Sequence, residues 1–523
     1  MAGRSRDVRR KPSAMAATVA SALFLLVAAP LAARAQGNTA NARSTEHKAK
    51  GWSDPWDPAL KDLESQGAFV RLELNEDKVT TVARSFLGLS YELDDVLGVA
   101  SKDYMALLKQ LSAYDNGPLM LRIGAMAADR MTGVWSAAVL NALTTLHRWT
   151  GAKFILGVNF HSENPEITKA QIARIKSILP SSAIESFAVG NEPDMYSLKP
   201  KDGRPGAMDP KPDTWLNDRW VPMSRDVYKA ASNGERVLAG PGWSNLNMRA
   251  PLLKWWLDSV QWTLSTVTLH HYAGDIFAGP SIEDVLSEKT IEKDMSSLGE
   301  LVKVTQKYSL PVRVTEAAIL SYGGVQGVSD VAGAAIWVLD TAMEVAYRGA
   351  TGINFHQGLK QENNANYNAV DYLNGRVRVR MPFYGYLLLQ QALDGGADIL
   401  SRSVSGECKV WVLKGHKAGD LRVLVLNKVN YKDCGVDVKL SADQNKRYKN
   451  EADVDYLYAG NGLYEKWQLY LSGLTFESWG TGHVRGDGDH LKVEKYWNAD
   501  KSGGFAVSLL PGAKAMLVTI PQW

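Results

Sequence analysis

Cysteine is nearly missing from this chain. Its 523 residues include two, Cys408 and Cys434, both in the last quarter. That excludes a disulfide framework, and with no histidine pair nearby it excludes a cysteine-ligated zinc site. The two form either one staple or two free thiols, and geometry decides between them. Asn-x-Ser/Thr sequons are also missing, so N-glycosylation is not expected. Surplus charge is small: 59 Lys and Arg against 56 Asp and Glu leave +3. Phosphate contact needs a concentrated basic face, so a nucleic-acid binder is excluded. No Gly-x-Gly-x-x-Gly opens a helix after a strand, which argues against a dinucleotide site. There is no internal repeat and no low-complexity tract.

Long apolar runs are confined to the start. Basic residues from Arg4 to Lys11 precede an apolar stretch, Ala14 to Ala33, and Ala33-Arg34-Ala35 places small residues where a signal peptidase reads. Residues 1–35 therefore read as a cleaved secretory signal, with an uncleaved membrane anchor as the alternative. Pro30 and the many alanines weaken the anchor, which needs about 20 strongly apolar residues. The expected location is extracellular or periplasmic, with no stable membrane insertion after cleavage.

Residues 36–66 are polar and read as a tail. Within 67–83, Ala68 to Leu74 alternates apolar and polar, a half-buried strand that resembles the far end of the chain. From 84 to 396 short apolar strands alternate with amphipathic helices, the α/β pattern. The expected strands are Phe86–Tyr91, Leu119–Ile123, Lys153–Val158, Ser186–Gly190, Val237–Gly240, Thr266–His270, Val312–Thr315 and Gly352–Phe355. Eight strands and eight helices close a (β/α)8 barrel more readily than they fill an open sheet. From 397 to 523 helical periodicity gives way to short β runs between Gly, Asn and Asp turns, the texture of a sandwich. The N-terminal strand would complete that sandwich.

Two carboxylates stand out. Glu192 closes the strand-four run Ser186-Phe187-Ala188-Val189-Gly190-Asn191, and Glu316 closes the strand-seven run Pro311-Val312-Arg313-Val314-Thr315. They lie 124 residues apart, about three β/α units, and both fall at strand carboxyl ends, where such barrels keep their chemistry. A pair of carboxylates meeting there suits glycoside hydrolysis. The general acid must hold its proton near neutral pH, which a second carboxylate close by favours. His270 and His271 face opposite sides of strand six and cannot share a metal; both read as structural histidines, and no metal or cofactor is expected. Trp255, Trp256 and Trp337 fall in helical patterns and read as core.

These residues carry a resemblance. Phe86-Leu87-Gly88-Leu89-Ser90-Tyr91-Glu92, Leu121-Arg122-Ile123-Gly124, Gly190-Asn191-Glu192-Pro193-Asp194, His270-His271-Tyr272, and Glu316 followed by Tyr322-Gly323-Gly324 and Gly327-Val328-Ser329-Asp330 resemble the heparanase-type β-glucuronidases of glycoside hydrolase family 79. The likeness runs from about residue 67 onward and is strongest over 84–395. It implies a retaining exo-β-glucuronidase acting on a glucuronide-containing carbohydrate, with Glu192 as acid/base and Glu316 as nucleophile. It further implies that Asn191 binds the sugar 2-hydroxyl and that Tyr272 holds the nucleophile. Tyr322, Gly323 and Gly324 would receive the 6-carboxylate, Asp129 the 4-hydroxyl, and Tyr367 would lie near the uronate. Tyr322 departs from the pattern, standing six residues after Glu316 where five is expected. The alternatives are an endo-acting heparanase, with Lys199, Lys201, Arg204 and Lys211 meeting an anionic polymer, and a related glycosidase for another sugar.

Overall fold

The computed structural model describes residues 50–52, 65, 68–198, 216–232, 234–359, 365–430, 432–477, 480–489, 491–509 and 513–523. The expected signal at 1–35, most of the 36–66 tail, and Lys199, Lys201, Arg204 and Lys211 lie outside the described residues.

Eight parallel strands close a barrel in chain order: Leu87–Glu92, Met120–Gly124, Lys153–Val158, Ile184–Val189, Leu238–Trp243, Leu264–Tyr272, Val312–Ala318 and Ile353–Gln357. They are called strands one to eight below. Strand seven pairs with both strand six and strand eight, and strand eight with strand one. Strands six and seven run further than their apolar stretches suggest, to Tyr272 and Ala318, because polar residues continue the ladder toward the mouth. Helices enclose the barrel, and local chemistry sets their ends. The helix Pro165–Lys176 starts with proline in its first turn, and the Asn164 side chain accepts the Glu166 N–H.

Helix Ala332–Tyr347 departs from expectation. Val331, Ala334, Ala335 and Val338 suggest one apolar stripe, but every residue from Ala332 to Ala346 is buried. A helix buried all round must be covered on both sides, and here one C-terminal sheet packs against it, with its buried Asp340 and Glu344 paired to lysines of that region. Trp256 and Trp337 are core, whereas Trp255 is 38% exposed.

Among the described residues the C-terminal region forms two large sheets and a short two-stranded ribbon, Thr475–Phe476 with Val484–Arg485. One orders Lys50–Trp52, Gly503–Leu509, Cys434–Leu440 and Phe69–Glu73. Phe69–Glu73 lies parallel to Cys434–Leu440, with Val70 opposite Val436. The other runs from Leu469–Leu471 through Glu451–Ala459, Ala513–Ile520, Leu421–Asn427, Cys408–Gly415 and Ala397–Ser405 to Thr80–Thr81. Val70, Val410, Val423, Val436, Phe505 and Val518 pack between the sheets. Cys408 and Cys434 are bonded to each other with their Cα atoms 5.4 Å apart, linking one sheet to the other. Among the described residues no helix is long and apolar enough to cross a membrane.

Candidate active site

Strand four delivers Glu192 through a tight turn. Gly190 has φ +84°, and a Cβ there would lie 3.0 Å from Phe160 and 3.1 Å from the Tyr196 hydroxyl, so glycine is required. Glu192 itself has φ +50°, a conformation costing a non-glycine residue on the order of 1–3 kcal/mol. The turn is held because the Glu192 N–H donates to the Gly242 carbonyl at 3.0 Å and Met195 N–H donates back to Glu192 at 2.9 Å. The Glu192 side chain is a quarter exposed, and its Oε1 lies 2.9 Å from His270 Nδ1.

Strand seven delivers Glu316 through a register shift. Val314 pairs with Leu269 and Glu316 with His270, leaving Thr315 as a bulge; bulges re-aim side chains at barrel rims. Glu316 is buried. Its Oε1 accepts from the Tyr272 hydroxyl at 2.6 Å, its Oε2 accepts from Arg122 Nη1, and His356 Nδ1 lies 3.9 Å away. Burial alone would push this carboxyl up. The positive field of His356, His270 and Arg122, with the Tyr272 bond, outweighs burial and holds it well below the usual carboxylate range.

The two carboxylates meet. Oxygens of Glu192 and Glu316, with a His270 ring nitrogen, all lie within 4.8 Å of one another. The three also satisfy the spacing of a metal site. However, Arg122 and Tyr272 already occupy the Glu316 oxygens, and a metal ion beside the Arg122 guanidinium is electrostatically disfavoured. The other acidic group of this kind among the described residues, Glu288, Glu292 and Glu344, is bound by Arg348, Arg402 and Lys409.

The structure gathers some of the expected residues and sets others apart. Asn191 Oδ1 accepts from Arg122 Nη2, leaving its amide N–H groups to offer. Tyr367 is 9% exposed, its ring 5.9 Å from that of His356. A Cβ on Gly324 would come within 3.2 Å of the Tyr367 ring, so Gly324 and Tyr367 adjoin. Gly323 accepts the Asn366 N–H at 2.6 Å, tying the loop after strand seven to that after strand eight. Tyr322 does not join them: it is 71% exposed and packs on Phe277. Nor does Asp129 present a free carboxylate. Its Oδ1 accepts the Phe160 and His161 N–H groups, each at 2.9 Å, and its Oδ2 accepts from Tyr196. Tyr196 in turn accepts the Asn191 N–H at 3.2 Å, so Asp129 braces the strand-four turn.

Four residues of this mouth were not among those expected. Arg122 is the most informative: a buried arginine inside an otherwise apolar strand is itself a signal. His270, expected to be structural, pairs with Glu192, whereas His271 faces outward and stacks on Trp337. His356, one residue before the end of strand eight, lies beside Glu316. Glu92 ends strand one, accepts the Ala127 N–H at 2.8 Å, and is raised by burial and by the Glu316 charge against the pull of His356.

No family model matches the chain. In sequence it is similar to a β-glucuronidase from Aspergillus niger, 22% identical over 378 residues, covering 66% of this chain and 68% of that one. In structure it is similar to a 4-O-α-L-rhamnosyl-β-D-glucuronidase from Fusarium oxysporum 12S, with TM-score 0.71 and 17% identity, over 86% of this chain and all of that one. It is also similar to a family 51 α-L-arabinofuranosidase from Bifidobacterium longum, with TM-score 0.61 and 13% identity, over 86% of this chain and 99% of that one. The fold is that of barrel glycosidases, and the resemblance to the β-glucuronidase type read from the motifs is borne out.

Proposed function

We propose that the protein is a retaining exo-β-glucuronidase that releases terminal β-linked glucuronic acid from glycans or small glucuronides. One observation carries the mechanism: oxygens of Glu192 and Glu316 lie within 4.8 Å across one barrel mouth. Carboxyls about 5–5.5 Å apart suit retention, whereas inversion needs roughly 6.5–9.5 Å to admit a water.

Glu316, anionic and oriented by Arg122 and Tyr272, attacks the anomeric carbon while Glu192 gives its proton to the leaving oxygen. The glycosidic bond breaks and a glycosyl ester forms on Glu316. Water then enters, Glu192 takes its proton, and the new bond at carbon 1 frees Glu316. The 2-hydroxyl falls to Asn191. Gly324 donates its N–H to Ser321 at 3.1 Å, so the Gly323 N–H and the Tyr367 hydroxyl are assigned to the 6-carboxylate. Asp129 is assigned to positioning and Tyr322 to neither role. The basic–apolar–Ala-x-Ala start supports export, which N-terminal sequencing of the mature protein tests.

Aryl β-glucuronide and aryl β-glucoside should be compared, with the first product's anomer read by NMR. The expected result is glucuronide turnover with a β product, lost in Glu316→Ala by roughly 10⁵-fold. Preferential turnover of the glucoside would overturn the sugar assignment, and an α product the mechanism.

A further inference from the structure

The rim of the mouth carries two exposed aromatic rings that the catalytic assignment does not use. Phe277 is 81% exposed and Tyr322 is 71% exposed, and their rings lie 5.6 Å apart at 58°. Phe277 follows strand six, five residues after the Tyr272 that holds Glu316; Tyr322 follows strand seven, six residues after Glu316 itself. The two loops are joined, since the Ser321 N–H donates to the Gly274 carbonyl at 3.0 Å. Asp275 Oδ1 accepts the Phe277 and Ala278 N–H groups at 2.8 and 2.9 Å, so the turn that lifts Phe277 outward is fixed. Tyr322 has φ +52°, outside the range most side chains adopt. Two large rings held in solvent by a hydrogen-bonded frame, beside a catalytic pair, mark a binding surface rather than a packing accident.

Topology sets which end of the substrate meets it. The barrel closes in chain order, so strands five and six span one arc between Glu192 and Glu316, and strands eight, one, two and three span the other. Of the groups assigned to the sugar or to its nucleophile, Arg122, His356 and Tyr367 lie on the second arc, Asn191 and Gly323 stand at its two boundaries, and Tyr272 alone reaches Glu316 from the first arc, so no sugar contact is assigned to strand five or six. The glucuronate ring therefore occupies that side, and the leaving group departs over the first arc, toward Phe277. A pyranose offers a flat C–H face to aromatic rings, with equatorial hydroxyls for the Tyr322 edge and for water.

We propose that Phe277 and Tyr322 form a stacking platform for the first sugar of the leaving group. The proposal rests on the glucuronidase reading and adds a specificity site for a glycan over a small aglycone. Two probes separate the two ideas. β-D-glucuronyl fluoride has no leaving-group ring and reads the glucuronate pocket and carboxylates alone; a β-glucuronyl-galactose disaccharide reads the platform as well. Phe277→Ala should lower kcat/KM for the disaccharide roughly tenfold and leave fluoride turnover within about twofold of the original. Tyr322→Phe, which keeps the ring and loses the hydroxyl, should retain most activity on both. Failure of the unaltered protein to turn over the fluoride would overturn the glucuronidase reading itself. Fluoride turnover with the disaccharide unaffected by Phe277→Ala would overturn the platform alone. Equal loss on both probes in either variant would place the rings in the glucuronate pocket and overturn the platform too.

Discussion

Two buried clusters of charge sit on opposite sides of the barrel wall, and they are built to different rules. In the outer one, helices Glu288–Gln306 and Ala332–Tyr347 present Glu288, Glu292, Asp340 and Glu344 to Arg402, Lys409 and Lys428 of the C-terminal sheet. Lys409 Nζ lies 2.7 Å from Asp340 and 2.6 Å from Glu344, and Lys428 Nζ 2.8 Å from Glu288 and 3.1 Å from Asp340. Lysine surroundings hold Asp340 below its ordinary range despite complete burial. In the inner cluster Glu316 is equally buried and equally well paired, yet its neighbour Glu192 keeps a quarter of its side chain open. In the outer cluster the centre is closed, with Asp340, Glu344, Lys409 and Lys428 fully buried, and only Glu288, Glu292 and Arg402 at its edge reach solvent. In the inner one the opening lies at the carboxylate assigned to move the proton.

Removing charge from the open side should therefore affect turnover, and from the closed side, folding. The largest effect expected is on turnover: Glu192→Ala should lower kcat/KM for a poor leaving group by about 10²–10⁴-fold, the range for general acid–base catalysis, with little change in denaturation midpoint. An activated leaving group that needs no proton should recover part of the loss. A large stability loss instead would make Glu192 a member of a structural cluster like the outer one.

The reciprocal test is Lys409→Met. It leaves Asp340 and Glu344 without their shared cation in a site that is fully buried, and breaking such a pair costs about 3–5 kcal/mol. Chemical denaturation should show that loss while the protein that remains folded keeps its kcat. A drop in kcat at unchanged stability would mean that the two clusters are coupled through helix Ala332–Tyr347.

How much of this contrast the sequence revealed follows from burial and direction. Glu192 and Glu316 were legible because a carboxylate directly after an apolar run has few structural uses. The eight strands were legible because barrel strands are buried on both faces and read as continuous apolar runs. Lys409 and Lys428 were not, since a lysine within a short β run or just past its end reads as facing solvent, and only the helix that covers the sheet encloses them. His270 was misjudged for a related reason: alternation separates it from His271 without saying which of the two faces the mouth. Tyr322 was not legible in the same way, because a motif gives a loop residue's place in the chain and not the direction of its side chain, which here lies 71% exposed beside Phe277. Arg122 lay inside a matched motif, yet its reach to both Glu316 and Asn191 spans three strands and no local pattern encodes it.

The adjacent histidines sharpen the comparison within one strand. His271 has no ion partner among the described residues, and burial lowers it to about 4 from an ordinary 6.5. Since the folded value lies below the unfolded one, the unfolded chain takes up the proton first. The contribution is complete above about pH 6.5 and is lost as pH falls toward about 4, a span of roughly 3 kcal/mol. His271→Phe, which keeps a ring against Trp337, should flatten the dependence of the denaturation midpoint in that window. An unchanged slope would assign acid sensitivity to the paired carboxylates instead.

Tyr272 offers the finest test, because it is the neutral member of the inner cluster. Its hydroxyl donates to Glu316 Oε1 at 2.6 Å while Arg122 holds Oε2, so Tyr272→Phe removes one of two restraints and leaves the charge pair intact. A hydrogen bond to a charged group is worth about 1.5–3 kcal/mol, which sets the expected fall in kcat at roughly 10–100-fold, with KM little changed if the bond orients the nucleophile rather than the sugar. Stability should fall less than in Lys409→Met, because Arg122 still neutralises the carboxylate and water can reach the vacated position from the mouth. If kcat were unchanged, Arg122 alone would fix the direction of attack. The inner cluster would then be restrained by its ion pair in the same way as the outer one, and the openness beside Glu192 would be the whole of the difference between them.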